Sequence, residues 1–232
     1  MRVFVFSSDK TQWALRPCSY LFNLYWSELQ EVVVSGFRRP AFPLPGNFRF
    51  LQIAQAGYPA EKWSDQVIET LSQVEDDWIV MLFDDYWLKR TVDCEAVRSL
   101  YEYVRGSTDI LRVDLTDDRQ YAGGARDIGA WGRLDLVETS WDTPYQLSTQ
   151  AALLNRRLWL SMLRPGMTPW QYELNLQDEV KDRFKQYRVL GTRQCPVRYV
   201  NGLGMGHGDK GYTEGLPDNI VLDMHKWGWF PK

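Results

Sequence analysis

The chain has 232 residues, 44% of them hydrophobic and 25% charged, which suits one generous globular domain and leaves no room for a disordered chain. Its 27 basic and 30 acidic residues give a net charge of −3, so no general attraction to polyanions or acidic membranes is built in. Three cysteines, far apart and odd in number, exclude both a zinc cluster and a disulfide framework and fit a reducing cytoplasm.

In chain order, Arg2 to Phe6 reads as a first strand rather than a targeting segment, because its apolar run is too short for a signal sequence. Ser7-Ser8-Asp9-Lys10-Thr11 forms the loop at that strand's carboxyl end, and a helix follows over Pro17 to Trp26. Glu31 to Gly36 is a second buried strand, the proline-rich run from Arg38 to Gly46 an ordered loop, and Phe48 to Ile53 a third strand. The pattern predicts a helix over Trp63 to Gln73 with Ser64 as its N-cap. Then Trp78 to Phe83, six apolar residues bounded by charge, reads as a strand buried on both faces. A helix over Cys94 to Tyr103 and a strand over Asp109 to Leu115 complete the first half.

Residues 116–145, rich in Asp, Gly, Arg and Trp, show little periodicity and read as an insertion shaped for a ligand. Gln146 to Leu154 is strand-like, and Asn155 to Leu163 a helix that Pro165-Gly166 ends. A further helix starts at Thr168 or Pro169 and runs to Lys185. Short strands follow at Arg188 to Leu190 and Val197 to Val200, before a glycine-rich, aromatic tail expected to end without a helix. Strands and helices alternating at this spacing imply an α/β fold, a mostly parallel central sheet with helices on both faces. The chain is expected to be a single domain of two halves, 1–115 and 116–232. No window reaches the ~18 apolar residues of a membrane span.

Ligands of open α/β sheets bind beyond the carboxyl ends of the strands, which is where Asp84 and Asp85 fall. A carboxylate there can ligate Mg²⁺ or Mn²⁺ while phosphate oxygens and water complete the coordination. Ser7, Ser8 and Asp9 offer small hydroxyls and a carboxylate to a nucleoside. They lack the glycine spacing of a dinucleotide or phosphate loop, so phosphate charge must be met elsewhere. In the tail, five glycines surround His207 and Lys210; glycines admit close backbone approach, imidazole ligates metals, and a lysine can neutralise a diphosphate. His225 is the other histidine available to a metal. Trp131, Trp141, Tyr145 and Trp170 offer flat faces to a sugar ring. Glu173, in the first turn of its helix, is placed either to be stabilised by the helix dipole or to act as a base toward an acceptor hydroxyl.

A strand followed by Ser-Ser-Asp, an apolar strand followed by Phe83-Asp-Asp-Tyr86, then Gln150-Ala-Ala-Leu-Leu-Asn155 and Pro169-Trp-Gln-Tyr-Glu173, resemble in order the GT-A type of nucleotide-sugar glycosyltransferase, particularly small bacterial and viral members. The resemblance implies that 1–115 is the nucleotide-sugar-binding half and 116–232 the acceptor-side half, and that Ser7, Ser8 and Asp9 hold the nucleoside. It also implies that Asp84 acts at the donor and in catalysis, and that Asp85 and His207 ligate Mn²⁺ or Mg²⁺ while Lys210 meets the diphosphate. The donor it implies is a UDP-sugar. The acceptor is a glycan, a lipid-linked glycan or a hydroxymethylated base in viral DNA, for which Arg38-Arg39, Arg156-Arg157 and the 181–188 run supply basic residues. Asp84-Asp85-Tyr86 departs from Asp-x-Asp in lacking the second spaced carboxylate. Two other readings stand beside it: a nucleotidyltransferase, which would want a glycine-bearing first loop, and a non-catalytic carbohydrate- or protein-binding domain.

Overall fold

The computed structural model describes residues 1–53, 60–203 and 213–230. Eleven strands and eight helices are described among them: β1 (Arg2–Phe6), α1 (Leu15–Tyr25), β2 (Val32–Gly36), β3 (Phe48–Gln52), α2 (Trp63–Ser72), β4 (Trp78–Phe83), β5 (Tyr86–Leu88), α3 (Cys94–Val104), β6 (Ile110–Asp114), α4 (Asp118–Tyr121), β7 (Arg126–Trp131), β8 (Leu134–Thr139), β9 (Ala152–Asn155), α5 (Arg156–Met162), α6 (Pro169–Gln171), α7 (Gln177–Phe184), β10 (Arg188–Thr192), β11 (Tyr199–Asn201) and α8 (Asp218–Lys226). The architecture is α/β, as expected. Its hydrogen-bonded strands follow the order β3-β2-β1 in one part of the chain and β4-β9-β6-β10-β8-β7 in another, and β11 pairs with β5 in a separate ribbon.

Two compact units are threaded by the chain. One comprises Val3–Gly57, Leu82–Asp93 and Val197–Lys232. In it β1, β2 and β3 are mutually parallel, Val3 to Phe6 facing Val32 to Ser35 in register, and all five residues of β2 are buried. Strands covered on both faces read as unbroken apolar runs, which is why Val-Phe-Val-Phe and Val-Val-Val were legible.

The other unit comprises Met1–Arg2, Tyr58–Met81 and Cys94–Pro196. Here β4, β6, β10 and β7 run one way, while β9, between β4 and β6, and β8, beside β10, run the other. Four of the six described strands of this unit therefore run one way, with β8 and β9 as the reversed members, and β6 and β10 are its parallel neighbours.

Several local expectations change. Ser64 is not an N-cap. A 3₁₀ turn precedes α2, so no free amide calls for a cap, and the buried Ser64 bonds a distant segment instead: its Oγ accepts from Met167 N (2.8 Å) and its own N–H donates to Met167 O (3.1 Å). Residues 116–145 are not irregular: α4 and the hairpin β7–β8 lie there, closed by a two-residue turn whose Gly132 has φ 59°. The strand expected over 146–154 shortens to β9, Asn155 capping α5 through Leu158 N (3.2 Å). The tail does carry a helix, α8, which buries Ile220 and Met224, four residues apart on one face.

Candidate functional site

β4 ends at Phe83, and the next residue, Asp84, is only 3% exposed. A carboxylate this buried needs partners, and the loop after β1 supplies them. Ser7 Oγ donates to Asp84 Oδ2 at 2.7 Å and Thr11 Oγ1 donates to the same oxygen at 2.6 Å. The Thr11 hydroxyl in turn lies 2.8 Å from that of Ser8. The two strand ends are joined by backbone as well, Asp84 N donating to Phe6 O (3.2 Å). The first loop and the acidic pair, 77 residues apart in sequence, thus form one hydrogen-bonded group.

The turn after Asp84 is locked by Trp87. Its indole N–H donates to Asp84 O (3.2 Å) and its backbone N–H to Asp85 O (3.1 Å). Gly202, following β11, donates to the same Asp85 carbonyl at 2.6 Å. Only glycine fits there, because a Cβ at 202 would lie 2.3 Å from the Trp87 ring.

Burial, followed by the adjacent Asp85 charge, pushes the Asp84 carboxyl well above the usual carboxylate range, while the Thr11 and Ser7 hydroxyls pull it back down. Burial raises Asp85 to about 6. The same two carboxylates, after burial, hold the nearby Cys18 thiol up. Two crowded, poorly hydrated carboxylates are a site at which a hard cation relieves repulsion, and Mg²⁺ or Mn²⁺ needs only one or two protein carboxylates when phosphates supply the rest. The donor set fits such an ion in that shared form. Among the described residues no group of three or more His, Cys, Asp or Glu side chains converges.

The remaining candidates are spread out. Asp9 pairs with Arg38 at 3.3 Å. His207 and Lys210 lie outside the described residues. Glu173 sits in a π-helical turn, Tyr172–Leu176, between α6 and α7, and its Oε1 accepts from both Thr149 N (2.6 Å) and Thr149 Oγ1 (2.7 Å). Trp141 is buried, its indole N–H donating to Tyr187 O (2.8 Å). Trp131, Tyr145 and Trp170 keep 41%, 45% and 55% of their surface open, enough to stack on a ligand. Trp131 is braced by Tyr103 at 5.3 Å and donates to Ser99 O (3.0 Å).

Sequence reasoning missed a polar core in the second unit. Arg112, Asp114 and Arg119 are at most 1% exposed. Arg112 Nε donates to Asp114 Oδ1 (2.7 Å), and Arg119 pairs with Asp114 Oδ2 and with Asp118 (2.7 Å). The two guanidiniums also hold the carbonyls of Ser148, Gln150 and Tyr145. Gln177 continues the grip, accepting from Gln146 N (2.9 Å) and donating to Thr143 O (2.9 Å). Tyr145, which adopts a left-handed φ of 60°, is thereby fixed by its neighbours rather than by its own preference. The visible signal was two charges at alternate positions of an apolar strand, Ile110-Leu-Arg-Val-Asp114, which places both on one face.

No family model matches the chain, and no curated protein matches it. Solved structures do. An active-site mutant of LgtC matches at 15% identity and TM-score 0.40, over 68% of this chain, which spans 59% of the length of that one. The galactosyltransferase LgtC in complex with donor and acceptor sugar analogs matches at 14% identity over 81% of this chain and 72% of that one, TM-score 0.44. A cytidylyltransferase from Leptospira borgpetersenii serovar Hardjo-bovis matches at 10% identity over 98% and 94%, TM-score 0.45. No helix among the described residues is long and apolar enough to cross a membrane.

Proposed function

We propose that this chain is a divalent-metal-dependent transferase that takes a nucleotide sugar, a UDP-sugar in the leading form of the reading, and passes its sugar to an acceptor hydroxyl on a glycan. The observation that carries the proposal is the buried Asp84, bonded at once to Ser7 and Thr11 of the first loop, with Asp85 beside it. The loop suited to a nucleoside and the carboxylates suited to a diphosphate's cation are one rigid group. Nucleoside and diphosphate then sit at a fixed separation.

When bound, Mg²⁺ or Mn²⁺ neutralises the charge that builds on the departing diphosphate. Asp85, the more exposed carboxylate, is the direct anionic ligand in this reading, and Asp84 orients it and fixes the first loop. Ser8 and Asp9 face the nucleoside. His207 and Lys210, outside the described residues, keep the parts their residue types suit, His207 with the metal and Lys210 with the diphosphate. Glu173 holds Thr149 in place and shapes the acceptor side, where Trp131, Tyr145 and Trp170 offer their faces.

Incubation with nucleotide sugars, with and without Mn²⁺, tests the reading. The expected result is metal-dependent release of a nucleoside diphosphate, lost in Asp85→Asn with the fold retained. Release of pyrophosphate from a nucleoside triphosphate would assign nucleotidyl transfer instead. Undiminished turnover by Asp85→Asn would remove the metal assignment.

A further inference from the structure

A cavity of about 650 Å³ opens elsewhere in the unit that carries Asp84, and the proposed reaction makes no use of it. One stripe of α1 (Arg16, Tyr20 and Asn23), the Phe42–Pro45 run and Trp229 line it. Its walls are largely aromatic and proline-bearing. Tyr20 meets Trp229 edge-on at 5.6 Å and Trp227 at 5.4 Å, and Phe42, Pro43, Leu44 and Pro45 complete the lining.

Two of the small polar groups of the lining are occupied. The amides of Asn23 and Asn47 bond each other (2.9 and 3.2 Å), and Ser19 Oγ donates to Arg16 O (3.1 Å). Arg16 differs. Its guanidinium lies 4.4 Å over the Phe42 ring, and among the described residues no carboxylate pairs with it. It stands in the first turn of α1, which continues a 3₁₀ turn (Gln12–Ala14) and holds no acidic residue to pair with it. What Arg16 offers is a planar pair of donors beside an aromatic wall, the arrangement that receives a phosphate or carboxylate.

We infer that this cavity binds a small anion carried on a flat apolar ring, an aryl phosphate or aryl carboxylate, with the ring against Tyr20 and Trp229 and the anionic oxygens on Arg16. The site is separate from the acidic pair and stands whether or not the chain transfers sugars.

Calorimetric titration of the intact chain with four probes tests it: 1-naphthyl phosphate, 1-naphthoate, 1-naphthol and inorganic phosphate. The first two are expected to bind, and the uncharged ring and the ringless anion at least tenfold more weakly. Arg16→Gln should weaken 1-naphthyl phosphate by roughly 10- to 100-fold, the worth of a charge-assisted bond, with the melting temperature little changed. Trp229→Ala should weaken the same probe with Arg16 still present. Binding of 1-naphthol as tight as that of the phosphate, unchanged affinity in Arg16→Gln, or absence of binding by both anions would overturn the inference. So would competition by a nucleoside diphosphate with Mn²⁺, which would move the probe to the Asp84 site.

Discussion

Asp84 and Asp85 divide labour by burial. Asp84 spends its Oδ2 on two hydroxyls and holds the first loop, whereas Asp85 makes its backbone carbonyl available to Trp87 and Gly202 and keeps a less buried carboxylate. A pH dependence follows from the raised carboxyl of Asp85. With a folded value of about 6 against an ordinary value of 3.8, the folded chain holds a proton between these limits that the unfolded chain has released. Protons bound in excess by the folded state favour it as pH falls. The metal-free protein should therefore gain melting temperature from pH 7 down toward pH 5, Asp85→Asn should flatten that gain, and saturating Mn²⁺ should flatten it too by keeping the pair ionised. A metal-free melting temperature that falls over the same window, with the mutant following it, would contradict the burial of this carboxylate. The placement of both aspartates was legible in the sequence because the Trp78–Phe83 run announces a strand and its end. Thr11 was not: the hydroxyl that meets Asp84 is chosen by a contact across 73 positions, and local pattern carries no such information.

At the scale of elements, the buried Arg112–Asp114–Arg119 cluster ties β6 and α4 to the segment 143–150, whose carbonyls it holds. That segment has no regular structure before β9, so side chains replace the backbone ladder as its support. Burial raises the Asp114 carboxyl, and the two guanidiniums, Arg112 before Arg119, draw it back. Asp114→Asn would leave two buried cations facing a neutral amide, and removal of one partner from a buried pair costs on the order of 3–5 kcal/mol. Thermal or denaturant unfolding should show that loss, whereas a mutation at the exposed pair Arg157–Asp77 should change stability by less than about 1 kcal/mol. Equal effects at the two sites would remove the cluster from its supporting place. Elements missed in the sequence had weak but real signals. The β7–β8 hairpin carried a Gly-Arg turn ahead of Leu-Asp-Leu, and α8 carried an acid at its start and His225 and Lys226 at its end, but its buried stripe is only Ile220 and Met224. Short stripes and edge strands bury too little apolar surface to stand out by periodicity.

Across the whole molecule, the proposed donor site is incomplete without its ligand, and this gives a thermodynamic signature. Two carboxylates are a sparse set for a cation that seeks six oxygens, and no third His, Cys, Asp or Glu converges with them among the described residues. The same carboxylates repel a diphosphate that arrives without a metal. Each ligand therefore removes the obstacle to the other, the phosphates completing the cation's shell and the cation cancelling the phosphates' charge. Linkage requires the enhancement to be reciprocal. Mn²⁺ titrated into the protein should bind at least about tenfold more tightly with a nucleoside diphosphate present, and the diphosphate should gain by the same factor when Mn²⁺ is present, a coupling within the ordinary range for paired sites. Asp85→Asn should abolish the coupling while leaving the weak metal-free binding of the nucleoside to the first loop, because Ser7 and Thr11 remain bonded to Asp84. Calorimetry in both orders of addition reads each affinity directly, after correction for the Mn²⁺–diphosphate complex that forms in solution. Affinities that are independent of the partner ligand would show that the acidic pair does not join a metal to a diphosphate.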